Sequence, residues 1–147
     1  MQFKECYQNP FIEERADPYI TLGPDGYYYF TASYPMKSAD DKDGYDRVIL
    51  RRAKDISELA SAEEITIWKV ADTTLTHRFI WAPELHYIAG RWYVFYAGSE
   101  DKENNWAFDC HVLVCDSDDP YTGTWNEKEN SKSGRTMIFL SPAFPWI

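Results

Sequence analysis

The sequence predicts an all-β domain made of β-propeller blades, and three observations support this prediction. Aromatic residues, which favour strands, make up 17% of the 147 residues. A turn followed by an aromatic strand occurs twice, beginning at Gly26 and again 64 residues later at Gly90. Each copy contains four strand-forming runs, and a four-stranded unit that recurs at a fixed period is typical of propeller blades.

The first copy occupies about residues 10–72 and is predicted to form blade 1. The turn at 23–26, Gly-Pro-Asp-Gly, separates a short apolar strand from an aromatic one. A helical turn within 57–64 is too short to change the fold class. The predicted strands span 19–22, 27–33, 47–53 and 65–70.

The second copy occupies about residues 78–130 and repeats the pattern as blade 2. Val112-Leu113-Val114 follows Val48-Ile49-Leu50 by 64 residues, and Asp119 follows Asp55 by the same spacing. Residues 131–147, which contain two prolines, fit neither a blade nor a cap. The predicted strands span 84–88, 92–97, 110–115 and 124–128.

Charge and hydropathy exclude several classes of function. The net charge is −9, so a nucleic-acid backbone would be repelled. No apolar run reaches the roughly 18 residues that a membrane-spanning helix needs. The first residues contain no signal-peptide core, and three cysteines without zinc-ligand spacing fit a reduced set. We therefore expect a cytoplasmic protein, with export under a signal outside this sequence as the alternative.

Two segments carry short motifs at equivalent places of the repeat. Asp17-Pro18-Tyr19-Ile20, followed by the aromatic strand after Gly26, is similar to the first blade of glycoside hydrolase family 43. Trp81-Ala82-Pro83-Glu84, followed by the strand after Gly90, is similar to the second. The resemblance runs from Asn9 to about Trp125 and is closest to the α-L-arabinofuranosidase branch, with β-xylosidases on the same scaffold. It implies a five-bladed propeller, of which this chain holds about two blades.

The resemblance also implies a mechanism, namely inverting hydrolysis of terminal α-L-arabinofuranosyl or β-xylosyl residues in plant-cell-wall saccharides. In the family, a first-blade aspartate is the general base, a third-blade aspartate tunes pKa, and a later glutamate is the general acid. Asp17 matches the base. The other two have no counterpart, because no Asp or Glu follows Glu129. The alternative is a truncated, catalytically incomplete half-propeller that self-associates and at most binds sugar.

Three further residues are candidates for substrate binding. Trp81 matches a tryptophan that walls the sugar subsite in the family, and a core tryptophan is the competing interpretation. Tyr34 is a candidate aromatic wall or else a surface-loop residue. Glu84 is a candidate sugar contact, although a structural role is the simpler interpretation.

No cofactor is predicted. The family resemblance implies a structural calcium ion at the propeller axis, but its ligands lie in later blades and none can be assigned here. The three histidines are too scattered for a metal set, and the acidic loop 35–46 lacks the EF-hand spacing. The expected partners are an arabinose- or xylose-containing oligosaccharide and a second copy of the chain that covers the open blade flanks. The apolar segment 137–147 is a candidate docking segment.

Overall fold

The chain folds into two four-stranded antiparallel sheets. The computed structural model describes residues 9–36, 44–72, 78–99 and 107–128. In each sheet the strands follow one another in chain order as a meander, which confirms the all-β prediction and the count of four strands per unit. The first sheet contains β1 (Ala16–Leu22), β2 (Tyr28–Ser33), β3 (Arg47–Ala53) and β4 (Ile65–Lys69). The second contains β5 (Arg78–Ile88), β6 (Arg91–Ser99), β7 (Phe108–Cys115) and β8 (Trp125–Lys128). We call these sheets blade 1 and blade 2.

The first strand of each blade begins earlier than predicted. β1 was expected at 19 and begins at Ala16, while β5 was expected at 84 and begins at Arg78. Each strand contains a proline, which cannot donate a hydrogen bond to the sheet. The structure accommodates Pro18 and Pro83 at register shifts, where a β-bulge leaves residues out of the pairing. The strand therefore continues on both sides of the proline.

The main hydrophobic core lies between the two blades. Side chains alternate along each strand, so that one face of each sheet points toward the other sheet. Tyr29 of β2 and Trp92 of β6 meet at this boundary, with ring centroids 5.0 Å apart. The core contains Tyr29, Val48 and Leu50 from blade 1 and Leu85, Trp92, Val94, Tyr96 and Leu113 from blade 2. Because both blades contribute, neither blade would bury its apolar face alone.

A second, smaller core lies on the opposite side of blade 1, which we call its back face. It is formed by the buried residues Phe30, Ala32, Ile49 and Leu59, and the half-buried Phe11 packs against it. On β1, the neighbouring Ile20 and Leu22 remain 38% and 58% exposed. The back face is therefore only partly covered.

The repeat extends to the turns that follow the third strand of each blade. Asp55 accepts a hydrogen bond from the amide of Ser57 at 2.8 Å, and Asp119 accepts one from the amide of Tyr121 at 2.9 Å. Asp119 also accepts a hydrogen bond from Nη1 of Arg52 at 2.8 Å. The second turn therefore links blade 2 to blade 1 as well as closing itself.

Two sequence expectations concern parts of the chain outside this description. The atypical tail 131–147 and the candidate docking segment 137–147 lie outside the described residues. Within the four described ranges, no helix has the length and apolar character needed to cross a bilayer.

Candidate active site

Asp17 lies at the bulge of β1, where the backbone turns sharply. Its φ is 50°, in the left-handed region that costs a non-glycine residue about 1–3 kcal/mol. Ala82, at the equivalent bulge of β5, has a φ of 45°. Both residues precede a proline. The bent backbone is thus a property of both blades, whereas the carboxylate occurs only in blade 1.

The carboxylate of Asp17 is held by a buried hydroxyl. Ser33 Oγ donates a hydrogen bond to Oδ2 of Asp17 at 3.1 Å. The same Oγ accepts a hydrogen bond from the backbone N–H of Ala82 at 2.8 Å. Ser33 is fully buried, while Asp17 is exposed. Ser33 therefore connects the carboxylate on blade 1 with the backbone of blade 2.

Trp81 stands beside this contact at the centre of an aromatic cluster. It immediately precedes Ala82 and is half-buried. Its ring stacks on Phe108, with centroids 4.5 Å apart and planes inclined by 24°. Phe79 lies 5.4 Å and Tyr45 5.7 Å from it, measured between centroids. Such half-exposed aromatic surface suits the apolar face of a sugar ring.

Tyr34 follows Ser33 in the chain, and two arginine side chains lie over its ring. The guanidinium carbons of Arg15 and Arg47 lie 4.3 Å and 4.5 Å from the ring centroid. The carbonyl of Tyr34 accepts a hydrogen bond from the amide of Tyr45, which belongs to the aromatic cluster. The backbone of Tyr34 is thus tied to Tyr45, whose ring contacts Trp81, and the role of Tyr34 as a sugar wall remains a prediction.

Glu64 anchors the segment that leads into β1. Its carboxylate forms ion pairs with Arg15 and with Arg51, the latter at 3.0 Å. Burial opposes ionisation of Glu64, yet the hydrogen bonds and charges of the two arginines outweigh it, so that the pKa of Glu64 is lowered from its ordinary value of 4.5. Arg15 lies two residues before Asp17, so this pair fixes the approach to the bulge.

Glu84 belongs to a different cluster, which also joins the blades. Its Oε2 lies 3.0 Å from Nε2 of His86, and Nδ1 of His86 lies 3.5 Å from the hydroxyl of Tyr19. Burial, and next to it the charge of Glu84, raises the pKa of Tyr19. Glu84 is therefore engaged with protein groups, and its contact with a sugar remains a prediction.

The structure brings together two of the four predicted site residues, Asp17 and Trp81, through Ser33 and Ala82. Sequence reasoning missed Ser33, because a serine inside a strand is an unspecific signal. It also missed Phe79, which lies two residues before Trp81 on β5, and Phe108, whose proximity to Trp81 depends on the pairing of β5, β6 and β7. Among the described residues, no group of three His, Cys, Asp or Glu side chains assembles as a metal site would require.

Two Streptomyces proteins are among the known proteins that are similar in sequence to this chain. Over 122 residues the chain is 43% identical to an extracellular exo-α-(1→5)-L-arabinofuranosidase of Streptomyces avermitilis and, equally, to one of Streptomyces chartreusis. These matches cover 83% of this chain but 24% and 34% of the two relatives. The chain thus spans about a quarter to a third of their length.

A solved structure shows the same fold. The α-L-arabinofuranosidase of Lactobacillus brevis superposes with a TM-score of 0.69 at 39% identity, covering 84% of this chain and 38% of that protein. The two sheets are accordingly propeller blades, as the repeat predicted. Residues 7–139, which include both blades, match the family described as Glycosyl hydrolases family 43. On these grounds the chain belongs to glycosyl hydrolases family 43.

Proposed function

We propose that this chain supplies the general base and an aromatic wall for a glycoside hydrolase site that removes terminal α-L-arabinofuranosyl residues from plant-cell-wall saccharides. The observation that carries the proposal is the position of Asp17, which is exposed, anchored by Ser33 and close to Trp81. The names of the Streptomyces and Lactobacillus relatives favour arabinofuranosides over β-xylosides as substrates.

The proposed reaction proceeds with inversion. The carboxylate of Asp17 removes a proton from water while the water attacks the anomeric carbon. A protonated acid on the other side of the sugar gives its proton to the leaving oxygen, and in inverting enzymes the two carboxyl groups stand roughly 6.5–9.5 Å apart. The stacked rings of Trp81 and Phe108 provide a surface against which the pentose can lie.

The general acid and the pKa-tuning aspartate have no matching residue in this chain. Two sources are open, namely another polypeptide that completes the propeller, or Glu84 within the chain. Glu84 already uses its carboxylate to contact His86 at 3.0 Å. This favours a partner chain as the source, and in the purified protein that partner is a second copy of this chain. The alternative function, a half-propeller that binds sugar without turnover, applies where that source is absent.

The proposed location follows from the relatives. Both Streptomyces proteins are named as extracellular. The cytoplasmic location expected from the first residues finds no support in them. A secreted enzyme that acts on saccharides outside the cell accords with the comparison.

We also propose that a second copy covers the open flanks. In blade 1, Tyr29, Val48 and Leu50 pack against blade 2. The residues 64 positions later are Tyr93, Val112 and Val114, which lie on the face of blade 2 that points away from blade 1. In blade 1 the equivalent face packs against the next blade. We therefore expect this face of blade 2 to pack against the back face of blade 1 in a second copy, which has the matching orientation. Two copies joined head to tail at both boundaries make a closed ring of four blades, within the range that propellers use.

This assembly predicts a dimer that a charge on the back face disrupts. Leu22 is 58% exposed and contributes little to the folded blade, so Leu22→Glu should dissociate the dimer without unfolding the chain. Thr124→Glu, at an exposed position in the turn before β8 and away from the back face, is the matched control. Light scattering should give the mass of two chains for the wild type and the control, and of one chain for Leu22→Glu. A wild-type monomer at every concentration contradicts the assembly.

The experiment that tests the proposed function is an activity assay on a sample of known mass. We expect the purified chain to hydrolyse p-nitrophenyl α-L-arabinofuranoside faster than the β-D-xyloside, with the mass in solution determined in the same run. Failure of the assembled protein to hydrolyse either compound contradicts the proposal. Binding of L-arabinose without turnover would instead support the sugar-binding half-propeller.

A further inference from the structure

Ser33 contacts the proposed base in blade 1, and the equivalent position in blade 2 is an alanine. We propose that Ser33 is a positioning residue for Asp17, which fixes one carboxylate oxygen and leaves the other for the attacking water. This inference rests on the proposed role of Asp17 as the base. Ser33 touches neither substrate nor water in this role, and it acts only through the carboxylate.

Blade 2 provides an internal comparison for this site. Ala16 pairs with Ser33 in blade 1, and Trp81 pairs with Ala97 at the equivalent point of blade 2. The next residue in each first strand is Asp17 or Ala82, and both have the same left-handed backbone. Blade 2 thus forms the same bulge with alanine at both positions. The bulge does not need the hydroxyl, and serine is found at this position in the blade that carries the carboxylate.

The hydrogen bonds around Ser33 determine where its hydroxyl proton points. A hydroxyl has one proton, and Ser33 Oγ already accepts the N–H of Ala82 at 2.8 Å. Its proton is therefore free to point at Oδ2 of Asp17, 3.1 Å away. Hydrogen bonds to a charged oxygen are stronger than neutral ones, and the chain from amide to hydroxyl to carboxylate polarises each member. Because Ser33 is fully buried, water cannot easily replace it.

The same contact also fixes the base relative to the aromatic wall. Ala82 follows Trp81 directly. The hydrogen bond from the amide of Ala82 therefore holds Ser33 against the part of blade 2 where the sugar is proposed to stack. Asp17 is exposed and has no other hydrogen bond to the described residues. Without Ser33, its side chain would be free to occupy other rotamers. Small displacements of a catalytic group reduce the rate strongly, even when binding is unchanged.

A direct test follows the rotamer of Asp17 by NMR. The three-bond couplings of Asp17 report whether χ1 occupies one well or averages over several. The full chain is compared as wild type, Ser33→Ala and Ser33→Thr, the last of which keeps the hydroxyl. Thr31→Val is the matched control, since Thr31 is buried on the same strand and its hydroxyl has no hydrogen-bond partner among the described residues.

We expect a single χ1 rotamer in the wild type and in Thr31→Val, and averaged couplings in Ser33→Ala. Ser33→Thr, which keeps the hydroxyl, should show the single rotamer of the wild type. Averaged couplings in the wild type, or a single rotamer in Ser33→Ala, would overturn the inference. This measurement needs no turnover, so an inactive wild-type chain would count against the proposed function and leave the role of Ser33 decidable.

Turnover provides the second measurement. Ser33→Ala should reduce kcat on p-nitrophenyl α-L-arabinofuranoside by about 10-fold with KM changed less than about twofold, because positioning acts on the transition state. Thr31→Val should leave both constants close to those of the wild type. An unchanged kcat in Ser33→Ala, or an equal loss in Thr31→Val, would show that Ser33 serves the fold alone.

Discussion

Trp92→Ala is expected to lower the free energy of unfolding by about 3–5 kcal/mol, the largest loss of stability that a single substitution in this chain should produce. Trp92 is 1% exposed, and its ring lies 5.0 Å from Tyr29 and 5.0 Å from Tyr87, measured between centroids. Its indole N–H donates to the carbonyl of Asp118 at 2.9 Å. Alanine would leave a cavity at the boundary where the two blades share their core, and it would release the turn after β7.

Urea denaturation followed by circular dichroism measures this loss without relying on tryptophan fluorescence. Trp92→Phe keeps most of the buried ring and should cost clearly less than alanine. Arg91→Ala, at the exposed neighbouring position, should stay within about 0.5 kcal/mol of the wild type. A Trp92→Ala protein as stable as the wild type would mean that the blades do not share the core described above.

The two blades could be predicted from the sequence, but the bulges in their first strands could not. The spacing of 64 residues between Gly26 and Gly90 reflects equivalent turns, and β3 was predicted at the bounds observed. The early start of β5 was not predictable from the pattern, because Pro83 normally ends pairing in a sheet. The register shift that tolerates the proline arises from pairing with β6, which is a tertiary property.

The sequence predicted only those residues of the candidate site that belong to short family motifs. Asp17 and Trp81 were identified through resemblance to the family, on short motifs in register within the repeat. Ser33 depends on which residue of β2 lies opposite the bulge, and local sequence does not determine this. Aligning the two copies gives a usable signal afterwards, because Asp17 and Ser33 are both replaced by alanine in blade 2.

Asp17→Asn should reduce turnover of an α-L-arabinofuranoside by about 10²–10⁴-fold, the range that general acid–base catalysis contributes. Asparagine keeps the size of the side chain, and its amide oxygen can still accept the hydrogen bond from Ser33. It cannot accept the proton of the attacking water. The fold and the aromatic cluster around Trp81 should therefore be unchanged, so that affinity for L-arabinose is retained while turnover is lost.

The most direct test of the account is therefore a paired measurement on Asp17→Asn, which combines kcat on p-nitrophenyl α-L-arabinofuranoside with the affinity for L-arabinose by calorimetry. Asp118→Asn, which removes an exposed carboxylate in the turn after β7, is the matched control. We expect kcat to fall at least about 100-fold in Asp17→Asn at wild-type affinity, while the control keeps both values. Turnover by Asp17→Asn at the wild-type rate would contradict the assignment of Asp17 as the base.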